Sequence, residues 1–88
     1  MFRVWGKIMK DNHLIRDVVA EIPDEELRRT QKVYKALDKI CYELDLSTPL
    51  WLDLNIHDFK CHARTRFTSD NFVEPIDFDY LDFHVIEE

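Results

Sequence analysis

The segment HDFKCHARTRF, residues 57–67, concentrates the side chains of this sequence that could do chemistry. It holds two imidazoles, one thiol and three cationic side chains within eleven residues. If Asn55 opens a helix, His57 and Cys61 lie four positions apart on one helix face, a spacing that two zinc ligands can use. A soft sulfur and imidazole set suits zinc. We therefore take His57, Cys61 and His62 as the candidate metal ligands, with Cys41 and His84 available to complete the set.

The same segment also has a purely structural interpretation. Cys41 falls in an apolar stripe typical of a core helix, and single histidines usually face solvent. Structural zinc sites mostly show closely spaced ligand pairs at both ends, and this sequence does not. A nucleophilic Cys61 beside His57 would lack a partner to orient the base. We therefore expect no cofactor, and keep a metal-binding or cysteine-dependent enzyme as the alternative.

Three basic residues of the segment, Lys60, Arg64 and Arg66, alternate with Phe59 and Phe67 in a pattern that single-strand nucleic-acid binders also use. If Arg64 and Arg66 lie in an extended strand, they point to the same side and can pair with carboxylates of the same chain. The nearest such carboxylates in the sequence are those of Asp77, Asp79 and Asp82. We favour this pairing, within the chain or with a dimer mate, over nucleic-acid binding.

The stretch IDFDYLDFH, residues 76–84, alternates acids with aromatic residues. Its carboxylates could form an acid–base pair, or they could be the solvated side of a strand. They could also rim aromatic anchors on a surface for a basic partner, because interfaces favour aromatic residues. The residues that we expect to bind a protein partner are Phe72, Phe78, Asp79, Tyr80 and Asp82.

Charge and composition exclude several classes of function. The net charge of −6 arises in residues 67–88, which hold seven acids and no Lys or Arg, and this disfavours nucleic acid as a partner. The single glycine, Gly6, excludes phosphate-cradling and dinucleotide-binding loops, which need several. No window has the roughly 18 apolar residues of a membrane span, and no signal peptide is visible, so we expect a cytoplasmic protein without a membrane partner.

Hydrophobic patterning predicts one α+β domain over residues 1–88. Alternation in FRVWGKIMK, the pair Asp11-Asn12 and a β-branched second run predict a hairpin over residues 2–21. Pro23 and the acids after it predict the start of a helix of about 23 residues, ending near Ser47. PLWLDLNI is typical of a short buried strand, and YLDFHVIEE of a final strand. We expect an antiparallel sheet, made of the hairpin and the C-terminal strand, packed against one long central helix.

Three segments carry a resemblance to a known group of proteins: GKIMKDNHLIRD, RRTQKVYKALDKICYELDLSTPLWLD and TRFTSDNFVEPIDFDYLDFHVIEE. In this order they resemble short uncharacterised proteins of clostridia and related gut bacteria, over nearly the whole chain. The resemblance implies a soluble bacterial cytoplasmic protein. It implies no activity, ligand or catalytic residue.

These observations predict a small non-enzymatic module that acts through protein–protein contact, with another protein or as a homodimer. A sheet with two edges to protect, and the acidic aromatic C-terminal segment, favour this function. The alternatives are the enzyme centred on residues 57–62 and an acidic mimic of nucleic acid that binds a basic protein through Asp77, Asp79 and Asp82. The sequence does not identify a small-molecule substrate.

Overall fold

The computed structural model describes residues 1–88, which form a four-stranded antiparallel sheet and two helices. The elements in chain order are β1 (Phe2–Lys10), β2 (His13–Ile22), α1 (Arg29–Glu43), α2 (Asp53–His62), β3 (Arg64–Phe67) and β4 (Tyr80–Glu87). The strand order in the sheet is β2-β1-β4-β3, so β1 and β4 are central while β2 and β3 are the edges. The predicted α+β class with an antiparallel sheet is confirmed.

The hairpin of β1 and β2 turns at Asp11 and Asn12, whose φ angles are 52° and 64°. A two-residue turn with both φ angles positive has the twist that hairpin strands require, and Asp and Asn tolerate this conformation better than most residues. The hairpin predicted from these two residues is therefore confirmed. The second strand extends to Ile22, one residue past the predicted end.

The prediction of one long central helix is not confirmed, because α1 has 15 residues and a second, shorter helix follows it. The chain from Asp24 to Leu27 is a turn, closed by the Leu27 amide, which donates to the Asp24 carbonyl at 3.1 Å. The helix begins only after Arg28, whose amide donates to the Gln31 side chain at 2.9 Å. The carboxylate of Asp24 instead pairs with Lys35, 2.7 Å away. The acids before α1 are therefore turn residues, not a first helical turn.

The prediction of a short buried strand in PLWLDLNI is wrong, because residues 49–52 are irregular and α2 begins at Asp53. Asn55 does cap this helix, although from inside its first turn: its side-chain oxygen accepts from the Leu52 amide at 3.1 Å. The Asn55 amide also donates to the Thr65 hydroxyl and the Arg66 carbonyl, at 2.9 and 3.0 Å. One buried asparagine thus fixes α2 against β3.

Both helices pack on the same face of the sheet. The only glycine, Gly6, marks this face in β1, because a Cβ placed on it would lie 2.6 Å from the Ile40 Cγ2 atom of α1. Trp51, just before α2, makes edge-to-face contacts with Phe67 of β3 and Phe83 of β4, at centroid distances of 5.0 and 6.1 Å. The seventeen buried apolar residues of the core lie between the sheet and these helices. Neither helix is long and apolar enough to span a membrane.

Candidate functional site

The three candidate metal ligands are split between two places on the surface of α2. His57 and Cys61 lie side by side and exposed, with 3.8 Å between the His57 Nε2 and Cys61 Sγ atoms. His62 instead lines a shallow cleft beside β3 together with Asp58, Arg64 and other polar residues. The structure therefore offers a pair of neighbouring ligands, with the second histidine directed elsewhere.

The two residues that would complete a metal set, Cys41 and His84, are not grouped with this pair. Cys41 is 1% exposed on the inner side of α1, and burial, with the charge of Asp38, raises the pKa of its thiol to about 12. Such a thiol stays protonated at neutral pH, whereas a metal ligand must be a thiolate. His84 lies on the sheet face that the helices do not cover. No group of three or more His, Cys, Asp or Glu side chains is arranged to hold a metal ion.

The sheet face opposite the helices is lined by charged and aromatic side chains, and we call it the open face. Alternation along each strand places these residues there, and cross-strand pairing aligns them into levels. One level joins Asp17, Lys7, Asp82 and Arg66, from β2 across to β3. The next level joins Val19, Trp5, His84 and Arg64, and a third joins Glu21, Arg3 and Glu87.

Asp82 is the centre of the open face, although it is only 2% exposed. Arg64 holds both oxygens of its carboxylate, with the Nε atom 3.0 Å from Oδ1, and Lys7 lies 3.5 Å from Oδ2. Burial alone would raise the pKa of Asp82, yet the hydrogen bond and charge of Arg64, together with Lys7, hold this pKa below the ordinary 3.8. Asp82 is therefore ionised at neutral pH, and two cations cover it. The expected pairing within the chain is confirmed for Arg64, whereas Arg66 forms no ion pair and lies over the Tyr80 ring.

Trp5 extends this network towards β2. Its indole N–H donates to Asp17 at 2.9 Å, and the Lys7 ammonium lies 4.1 Å from the ring centroid. Burial and the charge of Arg64 lower the pKa of the neighbouring His84, so its imidazole is neutral at pH 7. At the other end of the face, the Arg66 guanidinium lies 4.4 Å from the Tyr80 ring. Aromatic rings on the open face are thus held in place by cations.

The residues expected to bind a partner occupy several environments. Phe72 is buried and packs edge-to-face on half-buried Phe78, with 6.0 Å between their centroids. The exposed Asp79 accepts from the Asp11 amide at 2.9 Å and so fixes the hairpin turn. Tyr80 and Asp82 both belong to the open face. The structure therefore groups two of the five residues on one surface and uses the others within the fold.

Sequence reasoning missed Trp5, Lys7 and Asp17 as part of a surface. The alternation in β1 does indicate that Trp5 and Lys7 lie on the opposite face from Phe2, Val4 and Ile8. The partners of the two residues lie about 12 and 75 positions further along the chain, at Asp17 and Asp82. Only strand pairing shows that these side chains meet.

Comparisons with known proteins returned nothing for this chain: no family model, curated protein or solved structure matches it. Functional inference therefore depends on the surface itself.

Proposed function

We propose that this protein is a non-enzymatic interaction module and that the open face is its contact surface. The observation that supports this proposal is that both helices cover one face of the sheet, while the other presents Trp5 and Tyr80, whose rings contact the cations Lys7 and Arg66. Exposed apolar side chains border this face on β2, where Leu14 is 49% and Val19 44% exposed. Aromatic residues, pre-positioned cations and apolar area are features of protein interfaces.

This surface differs from the C-terminal segment expected from the sequence, of which only Tyr80 and Asp82 are retained. The acidic-mimic alternative loses support, because two cations of the same chain cover Asp82. Only the neighbouring pair His57 and Cys61 supports the alternative that the protein is an enzyme. The resemblance to clostridial-type proteins remains a proposal about origin and supports no residue role.

Site-directed photocrosslinking tests this proposal. A benzoylphenylalanine placed at Val19 samples the open face, and one placed at Tyr42, which is 85% exposed on α1, is the matched control on the helical side. We expect irradiation in the expressing cells to give a discrete adduct from position 19 and none of the same mass from position 42. Adducts from position 42 alone, or from neither position, would contradict an interaction through the open face.

A further inference from the structure

We propose that the partner of the open face is a second copy of this chain, packed face to face about a two-fold axis that runs along the strands. This inference rests on the proposed function, because it names the occupant of the same surface. It is carried by the distribution of charge over the four strands.

The charges of the open face alternate from strand to strand. The edge strand β2 presents Asp17 and Glu21, and the central strand β1 presents Arg3 and Lys7. The second central strand β4 is again acidic, with Asp82 and Glu87, and the other edge, β3, presents Arg64 and Arg66. The face is therefore acidic along one edge and basic along the other.

A two-fold axis parallel to the strands reverses the strand order of the second copy. The acidic edge β2 of one copy then lies over the basic edge β3 of the other, and β1 lies over β4. Lys7 and Arg64 already pair with Asp82 within each copy. Because the rotation preserves the level along the strands, the edge residue Asp17 faces Arg66 of the second copy. Every such contact occurs twice, as an isologous interface requires.

The second level places the apolar Val19 over Arg64 of the second copy. Trp5 of one copy faces His84 of the other, which is neutral and so accepts an aromatic neighbour without losing the hydration of a charge. At the third level Arg3 pairs with Glu21 and Glu87 of its own chain, at 3.0 and 3.1 Å, so this level presents paired charges to the second copy. Sheets that pack face to face keep their strands within about 30° of each other, so the levels stay in approximate register.

The alternative two-fold axis, across the strands, is disfavoured by the same charges. It would place each strand over its own copy, with acidic β2 on acidic β2 and basic β3 on basic β3. Like charges in contact select against a wrong arrangement, so the charges of the two edges favour the axis along the strands. Because the contacts between the edges join opposite charges, we expect the affinity to fall with salt.

Charge reversal with complementation tests the proposal. In a homodimer of Asp17→Arg, the new guanidinium faces Arg66 at both symmetry-related contacts. In a homodimer of Arg66→Asp, the new carboxylate faces Asp17 at both. We expect each variant to self-associate about tenfold or more weakly than wild type in sedimentation equilibrium. An equimolar mixture of the two variants allows a heterodimer with two such contacts. In one contact, Arg66 of the first variant faces Asp17 of the second, as in wild type. In the other contact, the two substituted residues face each other with their charges exchanged. Both contacts are then opposite in charge, so the heterodimer regains the affinity of wild type.

A matched control is available outside the sheet. Glu26→Arg, at an exposed residue of the turn before α1, makes the same charge change as Asp17→Arg and should leave association unchanged. Thermal melting by circular dichroism shows whether each variant is folded before its association is measured.

Three outcomes would overturn the homodimer: a monomeric wild type, a mixture that associates no better than its components, or single variants that associate as wild type does. The two proposals fail differently. A position-19 adduct with a different protein would refute the homodimer and leave the interaction module standing, whereas no adduct at all would refute both.

Discussion

Gly6→Ala is expected to lower the free energy of unfolding by about 2 kcal/mol, although the substitution adds only one methyl group. The new Cβ would lie 2.6 Å from the Ile40 Cγ2 atom, closer than Cβ atoms approach other heavy atoms, and 3.2 Å from its Cδ1 atom, a tight contact. Ile40 is fully buried between α1 and the sheet, so it has no free volume to enter. Either α1 lifts from β1 or Ile40 leaves its preferred rotamer.

A double-mutant cycle separates this clash from a general loss of strand geometry. Ile40→Ala alone should cost about 2 to 5 kcal/mol, because it leaves a cavity in the core. With Gly6→Ala added, the new methyl group occupies part of that cavity, so the double variant should lose less than the sum of the single variants. Urea denaturation of the four proteins measures the coupling. A neutral Gly6→Ala, or strict additivity, would contradict close packing of α1 on β1.

Asp82→Asn is expected to destabilise the protein by about 2 kcal/mol at neutral pH, because it removes the anion that compensates Arg64 and Lys7 on the open face. The asparagine side chain has nearly the same shape, so the loss reports charge and hydrogen bonding, not volume. Asp77→Asn, at an exposed residue of the preceding loop, is the matched control and should change stability little.

The lowered pKa of Asp82 predicts how the stability difference between wild type and Asp82→Asn changes with pH. The folded protein holds the pKa of Asp82 below the ordinary 3.8 of the unfolded chain, so over that range the unfolded chain binds more protons. The stabilisation is complete above about pH 5 and is lost as the pH falls through the folded pKa. The difference between wild type and Asp82→Asn should therefore shrink below about pH 4.

Denaturation curves at low protein concentration, recorded from neutral to acidic pH, measure this difference without a contribution from association. Asp24 and Glu88 also have lowered pKa values, but both remain in the variant and their effects cancel in the difference. A difference between the two proteins that does not change with pH would contradict the ionised, paired state of Asp82.

Local sequence signals predict those helices, strands and turns that are determined by residues close together in the chain. The turn at Asp11 and Asn12 follows from the tolerance of these two residues for positive φ, and the alternation in β4 follows from burial of Leu81, Phe83 and Val85. The start of α1 was mispredicted because acids after a proline are as typical of a turn as of a first helical turn. The decisive contact, from Asp24 to Lys35, joins residues eleven positions apart.

The segment around α2 could not be predicted for a related reason. Its position depends on Asn55, which is held by Thr65 on β3, and on Asn71, whose amide donates to the Asn55 oxygen at 2.6 Å. Hydrophobic periodicity carries no information about such buried polar contacts. The same limit applies to the open face, where nothing in the sequence shows that Asp82, among seven C-terminal acids, is the buried one.

A concentration series of proton–nitrogen correlation spectra tests the central claim, contact through the open face, most directly. We expect the indole N–H of Trp5 and the amides of β1 and β4 to shift as the protein concentration rises, and added salt to reverse these shifts. The Tyr42 amide and its neighbours on the outer side of α1 should stay fixed. Shifts confined to the helical side, or spectra that do not change at any concentration, would contradict the assignment of the open face to a second copy of the chain.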